Sequence, residues 1–131
     1  MLIDANIFLE VLLEQKKSEN CREVLRKIQT GDKKALISTF TVDTIILAMT
    51  RHKTPSRKIK IFLSSLINLK GLKIYPVSFR DRIMALDLMD KYNLDYEDSI
   101  TLQSAFSNDC KEILGFDKHF DKIKEIKRIE P

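Results

Sequence analysis

Four short, largely apolar runs recur along the chain, MLI, KALIS, LKIYPV and KEILGF, and longer segments of helical period separate them. A strand that is apolar at nearly every position, rather than at alternate ones, has to be buried on both faces. Strands of that kind alternating with helices specify a parallel sheet covered on each side. The expected fold is therefore α/β: a doubly wound parallel sheet of four or five strands in a three-layer α/β/α arrangement, with KEIKRIE supplying a short last strand.

The helical segments are marked by their periodicity and their ends. In SENCREVLRKIQTG, Cys21, Val24, Leu25 and Ile28 share one face, Ser18 is the expected N-cap and Gly31 the stop. In SRKIKIFLSSLINLKG the expected buried face is Ile59, Phe62, Leu63, Leu66 and Ile67, ended by Gly71. Asp95 is the expected cap of YEDSITLQSAFSND, with Asp98 as its capping-box partner three residues on. A length of 131 residues suits one domain spanning residues 1–131. No apolar run reaches the roughly 18 residues needed to cross a membrane. The N-terminal stretch has no basic region, and Asp4 and Glu10 interrupt it, so it does not read as a secretory signal. The expected setting is cytoplasmic. Cys21 and Cys110 read as two buried reduced thiols, and no Cys/His spacing suggests zinc.

The acids carry the functional information. In a doubly wound sheet, ligands bind at the carboxyl ends of the strands. Asp4 closes the first apolar run, Ser38 closes the second with Asp43 soon after, Asp98 opens the helix before the fourth, and Asp117 follows the fourth. Taken singly, Asp4 reads equally well as a helix cap or a ligand, Glu97 and Asp121 as solvated surface residues, and His119 as a histidine in a charged turn without a catalytic role. Taken together, acids from distant parts of the chain converge on one edge. Their mutual repulsion would be relieved by a divalent cation. A donor set of oxygens without histidine or thiolate favours Mg²⁺ or Mn²⁺.

The blocks LIDANIFLE, ALISTFTVDTI, LDYEDSITLQSA and ILGFDKHFDKI, in this order, resemble the signature blocks of PIN-domain proteins over essentially the whole chain. The size is similar to that of the toxin subunits of VapBC toxin–antitoxin pairs. The resemblance implies a PIN-like α/β/α fold and a Mg²⁺- or Mn²⁺-dependent ribonuclease site, with RNA as substrate, a protein antitoxin as partner and a homodimer as the assembly. Position by position it implies that Asp4, Asp98 and Asp117 are metal-holding acids, with Asn6 and Ser38 lining the same pocket. Two positions depart from the pattern. Phe116 stands where Thr or Ser is common, and Thr44 stands six residues past Ser38, where the family usually has Glu. The neighbouring Asp43 is rotated from Thr44 by about 100° on a helix. Either a shifted register lets Asp43 substitute, or the site has one acid fewer. The apolar stripe of Val42, Ile45, Ile46 and Met49 favours Thr44 toward the pocket and Asp43 toward solvent.

The leading expectation is thus a metal-dependent endoribonuclease in which Asp4, Asp98 and Asp117 act, while Asn6, Ser38, Asp43 or Thr44, Ser99 and Asp121 support. The net charge of +4 fits a polyanionic partner. Lys118 and the run RHKTPSRK are candidate phosphate contacts, although such a run also reads as a solvated turn between helices. The alternative is a degenerate PIN domain that binds RNA or protein without cleaving. A phospho-acceptor receiver domain is disfavoured, because no acidic pair follows the first strand and the third strand ends IYPV without an Asp.

Overall fold

The computed structural model describes residues 1–131. Five strands, β1 (Leu2–Ile3), β2 (Ala35–Ser38), β3 (Leu72–Tyr75), β4 (Glu112–Leu114) and β5 (Lys127–Ile129), form one sheet in the order β3-β2-β1-β4-β5. Every pairing is parallel. The helices are α1 (Ala5–Leu12), α2 (Ser18–Thr30), α3 (Thr39–Arg51), α4 (Ser56–Ile67), α5 (Phe79–Tyr92) and α6 (Tyr96–Ser107), with a 3-10 turn at Lys118–Lys122.

The apolar runs divide residue by residue between two cores, as the pleat of a strand requires. Ile3, Ala35, Ile37 and Leu114 point into a cluster with Phe8 of α1, Val24 and Ile28 of α2, Ile45 of α3, and Phe62 and Leu66 of α4. Leu2, Leu36 and Ile113 point the other way, against Leu102 and Ala105 of α6 and Phe120. Helices therefore cover both faces of β1, β2 and β4, and the three-layer α/β/α fold follows from their apolar residues; β3, expected to be buried on both faces, lies at the sheet edge with Lys73 and Ile74 exposed. Cys21 is buried in the first cluster, whereas Cys110 is only half-buried beside the second. Leu2, Ile3, Ile37 and Ile113 are fully buried. Truncating a side chain of this kind typically costs about 2–5 kcal/mol. The sheet is short but strongly held.

The topology positions the site. The chain runs outward from β1 through β2 to β3, then crosses back so that β4 pairs with the other side of β1. The switch point of the winding lies between β1 and β4, where a doubly wound sheet opens a crevice. The Asp4 N–H donates to the Leu114 carbonyl at 2.9 Å, so the first residue past β1 is pinned to the end of β4.

Several local expectations are corrected. Met1 lies outside β1. Ser18 is the first residue of α2, not its cap, and Lys17 at the cap offers no side-chain bond. Ile67, expected in the buried face of α4, is 78% exposed at the helix end. Gly71 does not terminate α4, which already stops at Ile67. It lies where the chain into β3 crosses the end of α2. Its N–H donates to the Ile28 carbonyl at 2.8 Å and its carbonyl accepts from Ala35 N–H at 2.8 Å. A Cβ there would stand 2.1 Å from the Lys33 carbonyl oxygen and 2.7 Å from that of Ile28. Gly31, by contrast, is the left-handed stop of α2 that the sequence indicates, with φ of 88°.

Gly71→Ala must push two backbone segments apart, so a loss of at least about 2 kcal/mol is expected. For a chain of this size that lowers the melting temperature by about 5–10 °C. Differential scanning calorimetry of the variant checks it; an unchanged melting temperature would contradict the close approach.

Candidate active site

Three elements deliver the acids to the switch point. Asp4 caps α1, with its Oδ1 accepting from the Ala5 N–H at 2.8 Å and its Oδ2 from Asn6 Nδ2 at 3.1 Å. Asp98 lies in the first turn of α6, where its own N–H is held by Asp95 Oδ1 at 2.8 Å. That is one half of the expected capping box. The other half is missing, because the Asp98 carboxylate does not turn back to Asp95 but faces His119, with Oδ2 to Nδ1 at 2.9 Å. Asp117 follows β4 and caps the 3-10 turn, with Oδ1 accepting from the His119 N–H at 2.8 Å. The same oxygen is 3.1 Å from His119 Nδ1.

One ligand atom each from Asp98, Asp117 and His119 lies within 4.8 Å of the others. Asp4 stands beside this group, since the charges of Glu97, Asp98 and Asp117 all act on its carboxyl. Burial, reinforced by those charges and opposed by the Ala5 N–H, pushes Asp4 from the ordinary 3.8 up to about 6. Burial also raises Asp98; its bond to His119 opposes that and the charge of Asp117 adds to it. The bond to Asp98 and the charge of Asp117 raise His119. The His119 imidazole thus lies between two carboxylates, a position that otherwise suits a cation.

His119 is the residue that sequence reasoning set aside. It comes 21 residues after Asp98, and only the docking of the 3-10 turn on α6 brings the two together. The donor set at the cluster is consequently two carboxylates and an imidazole, not oxygens alone. Hard oxygens suit Mg²⁺ and Mn²⁺, and an imidazole is compatible with Mn²⁺. The residues present therefore fit a divalent cation.

The other candidates are distributed as follows. Asn6 is exposed and orients Asp4. Ser38 is fully buried and caps α3, with Oγ accepting from the Thr41 N–H at 3.0 Å. The Ser99 hydroxyl, also fully buried, donates to the Asp95 carbonyl at 2.7 Å and is spent within α6. Asp121 is drawn away from the cluster into a pair with Arg128, at 2.6 Å from Nε and 3.2 Å from an Nη. On α3, Asp43 is exposed and Thr44 half-buried. The ring of Phe40, four residues before Thr44, meets Tyr96 edge-on with centroids 5.7 Å apart. That contact lays one side of α3 against the start of α6. Arg51, seven residues past Thr44, acts electrostatically on Glu97, whose carboxyl is raised by burial and by Asp95 and Asp98. Gly115 backs the site: a Cβ there would stand 2.9 Å from the Asp4 Cβ.

A family profile described as the PIN domain matches residues 1–126. No curated protein matches the sequence. Among solved structures, a sarcin-ricin-loop-cleaving toxin of Mycobacterium tuberculosis, VapC20, is similar with a TM-score of 0.78 at 8% identity, over 99% of this chain and 98% of that one. A toxin–antitoxin complex from Klebsiella pneumoniae has a TM-score of 0.68 at 19% identity, over 96% and 94%. VapBC2 from Rickettsia felis, bound to a DNA fragment from its promoter, has a TM-score of 0.67 at 16% identity, over 98% and 96%. At these identities the likeness is one of fold.

The raised Asp4 carboxyl makes a stability prediction for the metal-free protein. A carboxyl whose folded pKa lies above its unfolded value stabilises the fold at low pH, and that contribution is lost as pH rises through about 6. Asp4→Asn keeps an acceptor for the Ala5 N–H and removes the charge. After allowance for partial exposure, it is expected to be more stable than the parent by about 1–2 kcal/mol at pH 8. The gap should close as pH falls from 6 toward 3.8. Urea melts of both proteins across that range check it; a less stable Asn variant at pH 8 would contradict it.

Proposed function

We propose that this chain, which belongs to the PIN-domain family, is a metal-dependent endoribonuclease and the toxin of a VapBC-type pair. The observation that carries the reading is the convergence of Asp98 and Asp117 beside Asp4 at the switch point of the sheet, with the His119 imidazole between Asp98 and Asp117. The similarity of fold to a toxin that cleaves the sarcin-ricin loop and to two toxin–antitoxin complexes supports RNA as substrate and a protein antitoxin as partner. On this reading the toxin is homodimeric and acts in the cytoplasm.

Asp4, Asp98 and Asp117 would hold Mg²⁺ or Mn²⁺. Such an ion lowers the pKa of a bound water and neutralises charge on a phosphodiester. The chain's own groups prepare the place. Asp4 has to shed its proton before it can serve, and Asn6 keeps its Oδ2 oriented. His119 keeps Nδ1 2.9 Å from Asp98 Oδ2, where it would make way for, or join, a cation held by the acids. Thr44, on the Phe40 side of α3, is the residue we assign to the pocket, with Asp43 in solvent. A hydroxyl adds no charge, so attraction for the cation is weaker than with a fourth acid. That deficit is also what favours the second reading, a PIN domain that binds without cleaving.

Cleavage of single-stranded RNA tests the proposal. The parent should cleave with Mn²⁺, stop with EDTA, and lose at least about a hundredfold in rate as Asp98→Asn. Thr44→Glu should tighten Mn²⁺ binding, while Asp43→Ala should change it little. Absence of cleavage by a metal-loaded parent would establish the non-catalytic reading. Loss of metal binding in Asp43→Ala would make Asp43 the fourth acid.

A further inference from the structure

Charge is sharply segregated along this chain. Between Asp43 and Asp81, residues 44–80 contain eight lysines and arginines and no carboxylate, whereas the rest of the chain carries fifteen against nineteen, a net of −4. The whole positive balance of the protein thus resides in α3, α4, β3, the start of α5 and the connections between them. None of the eight takes part in an ion pair; the pairs that form involve Lys17, Arg26, Lys27, His119 and Arg128. The densest part is the elbow from the end of α3 into α4, where Arg51, Lys53, Arg57, Lys58 and Lys60 are all exposed. Arg57 and Lys58 also occupy the first turn of α4, which has no acid and no side-chain cap. The helix dipole disfavours cations there. Like charges without partners, placed against a dipole, are unfavourable in the free protein and are relieved by an anionic partner.

The elbow is continuous with the acid cluster. The Phe40–Tyr96 contact sets α3 against the start of α6. Positions 40, 44 and 51 follow one another at helical spacing along that side. The charge of Arg51 is felt at Glu97, beside the acids. We propose that the α3–α4 elbow is the track on which the phosphate backbone of single-stranded RNA lies as it enters the acid cluster, Arg51 holding the phosphate nearest the cleavage point and Arg57, Lys58 and Lys60 the phosphates beyond. This rests on the ribonuclease reading for the identity of the polyanion, and adds to it a surface and a direction of approach. The exposed acids elsewhere on the chain leave no other stretch of this length free of carboxylate.

The test uses the full chain and a short labelled single-stranded RNA in EDTA, so that binding is read without cleavage. Arg57→Gln/Lys58→Gln/Lys60→Gln is compared with Lys111→Gln/Lys124→Gln/Lys127→Gln, which removes the same charge from exposed residues next to β4 and β5. The elbow variant should raise Kd about tenfold or more and flatten the slope of log Kd against log salt by about 2. The control should shift Kd less than about twofold. Equal losses in the two variants would overturn the track while leaving Mn²⁺-dependent cleavage, measured separately, untouched. Elbow-dependent binding without any cleavage supports the track and removes the ribonuclease reading. Tighter elbow-dependent binding of duplex DNA than of RNA would overturn the proposal by assigning the surface to DNA.

Discussion

Repulsion among carboxylates at the β1–β4 switch point is the constraint around which the rest of this protein is arranged. Asp4, Asp98 and Asp117 come from three separate parts of the chain, and burial, with the charges of Glu97, Asp98 and Asp117 adding to it, pushes the Asp4 carboxyl up to about 6. Such a cluster persists because each acid is anchored by something stronger than its electrostatic cost. Asp4 is bonded through its own N–H to the Leu114 carbonyl. Asp98 is fixed by the Asp95 cap of α6. Asp117 is fixed by the turn it caps. Behind them lie β1 and β4, whose Leu2, Ile3, Ile113 and Leu114 are almost without solvent contact.

Charge on the molecule is organised on a larger scale in the same sense. Acids gather where the strands end, and unpaired cations gather on the α3–α4 elbow beside them. A polyanion is attracted by the second feature and, without a cation, repelled by the first. On the proposed reading an ion held there reverses the local sign; without one, the His119 imidazole lies between Asp98 and Asp117. Gly115 completes the arrangement by leaving room for the Asp4 side chain.

Much of the architecture was legible in the sequence because it follows from local pattern. Runs such as MLI and ALIS are apolar at successive positions, which only a doubly covered strand tolerates, and Leu2 and Ile3 do enter opposite cores. The strand-end positions of Asp4 and Asp117 followed from the same runs. What depends on docking was not legible. The meeting of Asp98 with His119 spans 21 residues and is decided by how the 3-10 turn sits on α6. Arg128 draws Asp121 out of the cluster from a strand seven residues on. Ile67 fits the apolar stripe of α4, but the helix ends there and nothing packs on it. Gly71 reads as a helix stop, whereas its reason is the approach of two carbonyls that belong to distant residues.

The central claim is that these carboxylates form a site for a divalent cation. Anomalous diffraction from a crystal soaked in Mn²⁺ addresses it most directly. The account predicts a peak among Asp4, Asp98 and Asp117, with carboxylate oxygens about 2 Å away and the His119 ring no longer lying between Asp98 and Asp117. A crystal soaked at saturating Mn²⁺ that shows no peak there, with His119 still bridging the two acids, would contradict it.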